Sequence, residues 1–214
     1  MKLISKSKFL DYLTCPKDAW FRMHKPELEE FEVSLSTHNI MAQGNDVEEY
    51  SKKLKIFSKF VEVKSRKFSD FKKEVDELLL KKVPAIYQPS FVIDGYMIRC
   101  DFLVWNSDNK VWDLYEVKGT NSKKDNGGPR DHISDLTFQA IVLEKYGVEI
   151  GNKYIVHLNK EYIRGVGVDV EGLFVVNDST EQVEQKREII AIQMQQAKDY
   201  LNQMNEPKDG CSCH

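Results

Sequence analysis

The chain has 214 residues, with 31 Lys/Arg against 34 Asp/Glu and a formal net charge of −3. That length fits one or two domains. A hydrophobic content of 41% with 11% aromatic residues can build a substantial core and argues against intrinsic disorder. No apolar run approaches the about 18 residues of a membrane-crossing helix, and the composition does not suit a collagen, coiled-coil array or mucin. A near-neutral total still leaves room for a local basic face. The four cysteines, Cys15, Cys100, Cys211 and Cys213, are too few for a disulfide-rich scaffold. Lys6, Lys8 and Asp11 interrupt any apolar leader segment in the opening residues, so a cytoplasmic chain is expected.

Ser5 to Phe21 reads as a helix, with Phe9, Tyr12 and Leu13 on one face and Pro16 as a break or kink. His24-Lys25-Pro26 marks a turn. A second helix is expected from about Thr37 past Tyr50, with Met41, Gly44 and Val47 on one side. From Lys52 to Lys73, nine Lys/Arg residues stand against Glu62 and Asp70 alone, and a β-rich piece, Lys59 to Arg66, lies within that run. Phe71 to Leu80 reads as a helix. The period then changes. Ala85 to Val92 alternates, Asp94-Gly95 is a strong hairpin turn, and Tyr96 to Trp105 and Val111 to Lys118 read as strands joined by a turn at Ser107 to Lys110. Gly119 to Arg130 is a polar loop. His132 to Tyr146 reads as a helix with Leu136, Gln139, Ala140 and Leu143 along one side, stopped by Gly147. Lys153 to Leu158 is a strand. The tail alternates weakly to about Val176, and Glu181 to Met204 is a long polar helix carrying Ile189, Ile192, Gln196 and Tyr200. This order describes an α/β core with a short antiparallel meander.

The two meander strands carry the chemistry. With Asp108-Asn109 as the central pair of the turn, Asp101 falls directly opposite Glu116. Facing carboxylates repel in a plain sheet, and a hard divalent cation between them removes that cost. Each is set in an apolar strand, where a charge needs a partner. Strand alternation puts Lys118 on the face of Glu116. An ammonium there can orient an attacking water and offset charge on a phosphoryl group. Taken alone, Glu116-Val117-Lys118 is equally a solvated strand end, and it gains meaning only from Asp101.

Asp101 followed after fourteen residues by Glu116-Val117-Lys118 resembles the PD-(D/E)XK nuclease superfamily, and more narrowly the RecB-type nuclease domain and the related CRISPR-associated exonucleases. Three further segments are similar: Phe9 to Pro16 to the opening helix, Gly44 to Glu48 to the early helical motif, and Asp135 to Gln139 to the later helix. The likeness spans about residues 3 to 158. It implies a restriction-endonuclease-like core with a central mixed β-sheet, a three-strand antiparallel meander plus a later strand, flanked by helices. It further implies an N-terminal helical segment over 1–36, a nuclease core over 37–160, and an extension over 161–214 expected to stop short of a natural end. Asp101, Glu116, Glu48 and the Val117 carbonyl would hold Mg2+ or Mn2+. Lys118 would be the catalytic lysine, and Gln139 would contact substrate or support it. The substrate implied is DNA, with ends or single strands favoured, cut by an exonuclease. Protein partners are left open, and no membrane is implied.

The likeness departs from its family at two points. Leu143 stands where the later helix of the family carries tyrosine, and the terminal cysteines are one short of an iron–sulfur set built on Cys15, Cys211 and Cys213. Such a cluster belongs to a longer chain. Zinc on those three with His214, or plain thiols, are the alternatives. His132 could approach phosphate or simply sit at a helix start. The 52–73 run and Lys123, Lys124 and Arg130 could line a DNA path or face solvent. Tyr50, Phe57 and Phe60 could stack on bases or pack in the core. A catalytically silent binding or assembly module of the same fold, or a sequence-specific endonuclease, are the rival functions.

Overall fold

The computed structural model describes residues 2–28, 44, 46–65, 68–124, 128 and 130–208. A short strand, β1 (Ile4–Ser5), leads into α1 (Lys6–Thr14) and α2 (Pro16–His24). The Ser5 hydroxyl caps α1 by accepting the Lys8 N–H at 3.3 Å. The helix expected over 5–21 is therefore two. Cys15 leaves helical geometry, and Pro16, which has no N–H to lose, opens α2. A helical segment, α3, occupies 46–51, and most of the chain expected to lead into it lies outside the described residues. β2 (Phe60–Glu62) falls in the β-rich piece, and α4 (Phe68–Lys81) follows it.

The centre contains β3 (Ala85–Tyr87), β4 (Ser90–Ile93), β5 (Tyr96–Arg99), β6 (Phe102–Asn106) and β7 (Val111–Lys118). Then come α5 (His132–Tyr146), β8 (Ile150–Leu158), α6 (Val170–Leu173), β9 (Phe174–Asp178) and α7 (Thr180–Leu201). A six-stranded mixed sheet runs β2-β3-β6-β7-β8-β9, and a three-stranded one runs β1-β5-β4. Helices flank them, so the fold is the expected α/β class with a mixed sheet. No described helix is long and apolar enough to cross a membrane.

The strand arrangement departs from the expected meander. The strands read as 85–92 and 96–105 each break in two and pass from the large sheet to the small one. Their pairing register continues across the break: Tyr87 faces Phe102 on one side of it and Ser90 faces Arg99 on the other. Between them the Gln88 N–H donates to the Asp101 carbonyl at 2.9 Å and the Cys100 N–H to the Pro89 carbonyl at 3.0 Å. Gln88 adopts φ 52°, a left-handed conformation that bends the hairpin, and Pro89 has no N–H to offer a neighbouring strand. At the far end Asp94 and Gly95, with φ 50° and 80°, close the turn as expected. Asp101 thus sits where one hairpin leaves the large sheet.

The six-stranded sheet buries both faces. Leu103, Leu114 and Ile155 point to the larger core, shared with α1, α2, α5 and α7, and Phe102, Tyr115 and Val156 point to a second cluster around Phe57. Phe57 stacks on Phe102 with ring centroids 3.8 Å apart, so it is a core residue. Residues 132–143 of α5 are buried on every side, not one, because the helix is enclosed between the strands, α1 and α7. The buried seam of α7 does not run through the isoleucines at 189 and 192. Val183, Ile190, Met194, Ala197 and Leu201 point inward, while Ile189 and Ile192 are half exposed. The inward spacing is the heptad-like one that keeps a seam against a neighbouring helix. β9 and α6, in the weakly alternating tail, were not foreseen.

Phe138 ties this arrangement together, stacked on Phe9 of α1 at 4.8 Å and edge-on to Tyr96 of β5 at 6.0 Å. Phe138→Ala is expected to cost about 3–5 kcal/mol, read as a lower urea midpoint with an unchanged m-value.

Candidate active site

β6 and β7 pair with Leu103 opposite Leu114 and Phe102 opposite Tyr115. One more step in that register brings Asp101 across from Glu116, as the sequence arithmetic anticipated. At this point β6 has left the sheet, and the side chain takes over the ladder: Asp101 Oδ2 accepts the Val117 N–H at 2.7 Å. Glu116 is 3% exposed and points at α1 and α5, the face its neighbour Leu114 also occupies.

Glu116 is the centre of a compact charge network. Its Oε1 accepts from Lys118 Nζ at 2.7 Å and from Lys6 Nζ at 2.6 Å, and its Oε2 accepts from Gln139 Nε2 at 2.8 Å. Asp135 holds the same three partners from α5. Its Oδ2 accepts from Lys118 at 2.5 Å, and its Oδ1 lies 3.0 Å from Gln139 Nε2 and 3.3 Å from Lys6 Nζ. Gln139 sits one helical turn after Asp135, so both reach the same side of α5.

The charges set one another. Burial works to raise the Glu116 pKa, yet the Lys118 and Lys6 ammonium groups outweigh it and hold the carboxyl well below its usual range. Burial works against charged Lys118 and Lys6, and the carboxylates around them, Asp135 first for Lys118 and Glu116 first for Lys6, hold both above the ordinary lysine value. Asp101 moves the other way. Burial, then the neighbouring Glu116 charge, pushes its carboxyl up, opposed by Lys6 and by the Val117 N–H. Two adjacent anions, one of them forced towards its neutral form, fit a site for a hard cation.

Glu48 approaches from α3. Its Oε1 accepts hydrogen bonds from the Tyr87 hydroxyl and the Gln88 amide. Gln88 in turn holds the Asp101 carbonyl through its backbone. Burial, then the hydrogen bond and charge of Glu48 and the charge of Asp101, raises the Tyr87 pKa. The start of this helical region also runs beside the strand end: a Cβ on Gly119 would lie 3.9 Å from Gly44 Cα. Among the described residues, no three His, Cys, Asp or Glu side chains are gathered as a metal cage.

The structure therefore brings Glu116, Lys118 and Gln139 together, with Asp101 against the Val117 backbone and Glu48 held apart from them by Tyr87 and Gln88. His132 is buried at the start of α5, and its Nδ1 accepts the Lys124 N–H at 3.2 Å, pinning the loop after β7. Cys15 is buried between α1 and α2 and is disulfide-bonded. Cys211 and Cys213 lie outside the described residues, as does His214. Cys100 is a free, fully buried thiol in the core, as expected. Two members of the network were not singled out from sequence. Asp135 had a signal, four residues before Gln139 on a helix. Lys6 had none, because nothing local ties the first turn of α1 to a strand 110 residues later.

No protein-family model and no curated protein matches the sequence. Among solved structures the chain is similar to SSO0001, at 12% identity over 88% of this chain and 76% of that one, with a TM-score of 0.36. It is also similar to an alkaline exonuclease from Laribacter hongkongensis, at 11% identity over 93% and 89% of the two chains, again with a TM-score of 0.36.

Burial, then the Lys118 charge, lowers the His132 pKa to about 4, so the ring is neutral at neutral pH. A histidine whose folded value lies below its unfolded one, about 6.5, stabilises above that value and loses the contribution as pH falls towards 4. His132→Asn, which keeps an acceptor for the Lys124 N–H, is expected to flatten this acid limb in thermal melts between pH 6.5 and 4. An unchanged slope would exclude His132 as its source.

Proposed function

We propose that the protein is a divalent-metal-dependent nuclease that hydrolyses DNA phosphodiester bonds and acts as an exonuclease on ends or single strands. One observation carries this: Asp101 lies one register step beyond the last paired residues of β6, across from Glu116 and bonded to the Val117 N–H, and the Lys118 ammonium is 2.7 Å from Glu116. Asp101, Glu116 and the Val117 carbonyl would hold Mg2+ or Mn2+, with Glu48 completing the set, and all of these donors are hard oxygens. The bound ion would supply Lewis-acid polarisation and a more acidic water.

The residues of the chain do the positioning. Asp135 and Glu116 grip Lys118 from two elements, which aims its ammonium at the face where a phosphate would meet the carboxylate pair. That ammonium donates to a phosphate oxygen and stabilises the charge that develops as the phosphorus is attacked. Gln139 donates to both carboxylates and so orients the grip. Neutral His132 keeps the following loop in place. Lys52 and Lys53, over the Tyr87 and Tyr50 rings at 4.4 and 4.8 Å, put positive charge beside Glu48, which suits a polyanion of any sequence. The choice of DNA, and of ends, follows from the resemblance of the motifs.

The saturation of Glu116 by two ammonium groups favours a second reading, a silent nucleic-acid-binding module of the same fold. Cleavage separates the two. Labelled linear and circular single-stranded DNA would be incubated with the full chain and MgCl2 or MnCl2. Degradation of the linear form alone is expected, with Asp101→Ala and Lys118→Ala each slowing it by about 100-fold or more. Salt-sensitive binding with no cleavage in either metal would establish the silent module instead.

A further inference from the structure

We infer that Lys6 is a displaceable counter-cation: its ammonium lies against Glu116 Oε1 and must leave before a divalent ion can bind there. This rests on the proposed metal site and adds a residue that sets its affinity.

The geometry separates the two lysines. Lys118 makes its shortest contact with Asp135, at 2.5 Å, and keeps that partner whatever happens at Glu116. Lys6 makes its shortest contact with Glu116, at 2.6 Å, and reaches Asp135 only at 3.3 Å. An ion that takes the Glu116 oxygen removes the main partner of Lys6, whereas Lys118 loses only its second contact and keeps Asp135. Lys6 is also the better placed to withdraw. Its backbone is fixed at the start of α1, behind β1, whose Ile4 and Ser5 pair with Tyr96 and Met97. Its side chain is 25% exposed, against 19% for Lys118, so its ammonium has water to withdraw to at the end of a long stem.

Charge gives the direction of the effect. Glu116 and Asp135 carry two negative charges, and Lys6 and Lys118 neutralise both. A divalent ion arriving with Lys6 in place meets a neutralised pair. With Lys6 withdrawn, it meets the acid of Glu116 and that of Asp101 with one positive charge fewer beside them. An opposite charge within about 4–6 Å typically shifts a carboxylate equilibrium by one to three powers of ten. Removing Lys6 should therefore tighten cation binding, whereas a residue that merely holds the site together would weaken binding when lost.

The test is isothermal titration of the metal-free full chain with MnCl2, alongside thermal melts. Lys6→Met is expected to lower the Mn2+ dissociation constant about tenfold or more, and Lys6→Arg, which keeps the charge, to leave it near the parent value. If Lys6→Met does not fold without metal, Lys6→Gln, which can still donate to Glu116, takes its place with the same expectation. Equal or weaker Mn2+ binding in the neutral variants, with the parent protein binding, overturns the inference about Lys6 and spares the metal site. No Mn2+ binding by parent or variants, with Asp101→Ala behaving identically, overturns both.

Discussion

A carboxylate with 3% of its surface exposed is the constraint on which the rest of this structure depends. Glu116 could not stay ionised in that position without partners, since an unpaired buried charge is far costlier than a paired one. The partners come from three separate places in the chain: Lys6 from α1, Gln139 from α5, and Lys118 from the same strand. Satisfying one acid therefore fixes the distance between the first helix, the central helix and the middle of the large sheet. The aromatic contact of Phe9 with Phe138 acts on the same pair of helices from their apolar side. A polar network and an apolar stack thus specify one packing of α1 on α5, and agreement between levels of this kind is what makes a fold unique.

The bend in the central hairpin supplies the second carboxylate. Had β5 and β6 run on as one strand, position 101 would have been an ordinary internal residue with its backbone in the ladder. Because the hairpin leaves the large sheet at Gln88 and Pro89, the Val117 N–H loses a backbone acceptor on that side and takes the Asp101 side chain instead. The same bend aims Gln88 at Glu48. One left-handed residue and one proline therefore bring a strand-end acid and a helix acid to the same edge.

The sequence made some of this legible and not the rest, for physical reasons. Local signals held up. The Asp94-Gly95 turn, the β7 limits, the α5 limits and its Gly147 stop depend on neighbours a few residues away, and they stand where expected. The Asp101–Glu116 register was readable because a hairpin converts numbering directly into distance. The broken strands were not read, although Pro89 marked the place, because alternation continues through the bend. The buried face of α7 is not legible in a polar helix whose seam uses Ala197 and Met194 while Ile189 and Ile192 stay half exposed. Lys6 was invisible for a deeper reason. Its role exists only in the tertiary structure, and no period or spacing links position 6 to position 116.

The same distinction bears on the lysine-rich run over 52–73, whose excess of positive charge looks uniform in sequence. In the fold it is divided. Lys72 is tied to Asp76 at 2.6 Å on the exposed side of α4, where such a pair contributes little beyond solubility. Lys52 sits at the end of α3, bonded to Glu49 at 2.5 Å and lying over the Tyr87 ring, whose hydroxyl donates to Glu48. The Lys55 N–H donates to Glu171 of α6 at 2.9 Å, so the backbone after α3 is held to the C-terminal part of the chain. Lys52 and Lys72 are thus both paired with a nearby acid, and what sets Lys52 apart is its place over the ring that bonds Glu48. Under the proposed nuclease function, a polyanion reaching that edge of the sheet would meet the Lys52 and Lys53 ammonium groups rather than those of α4.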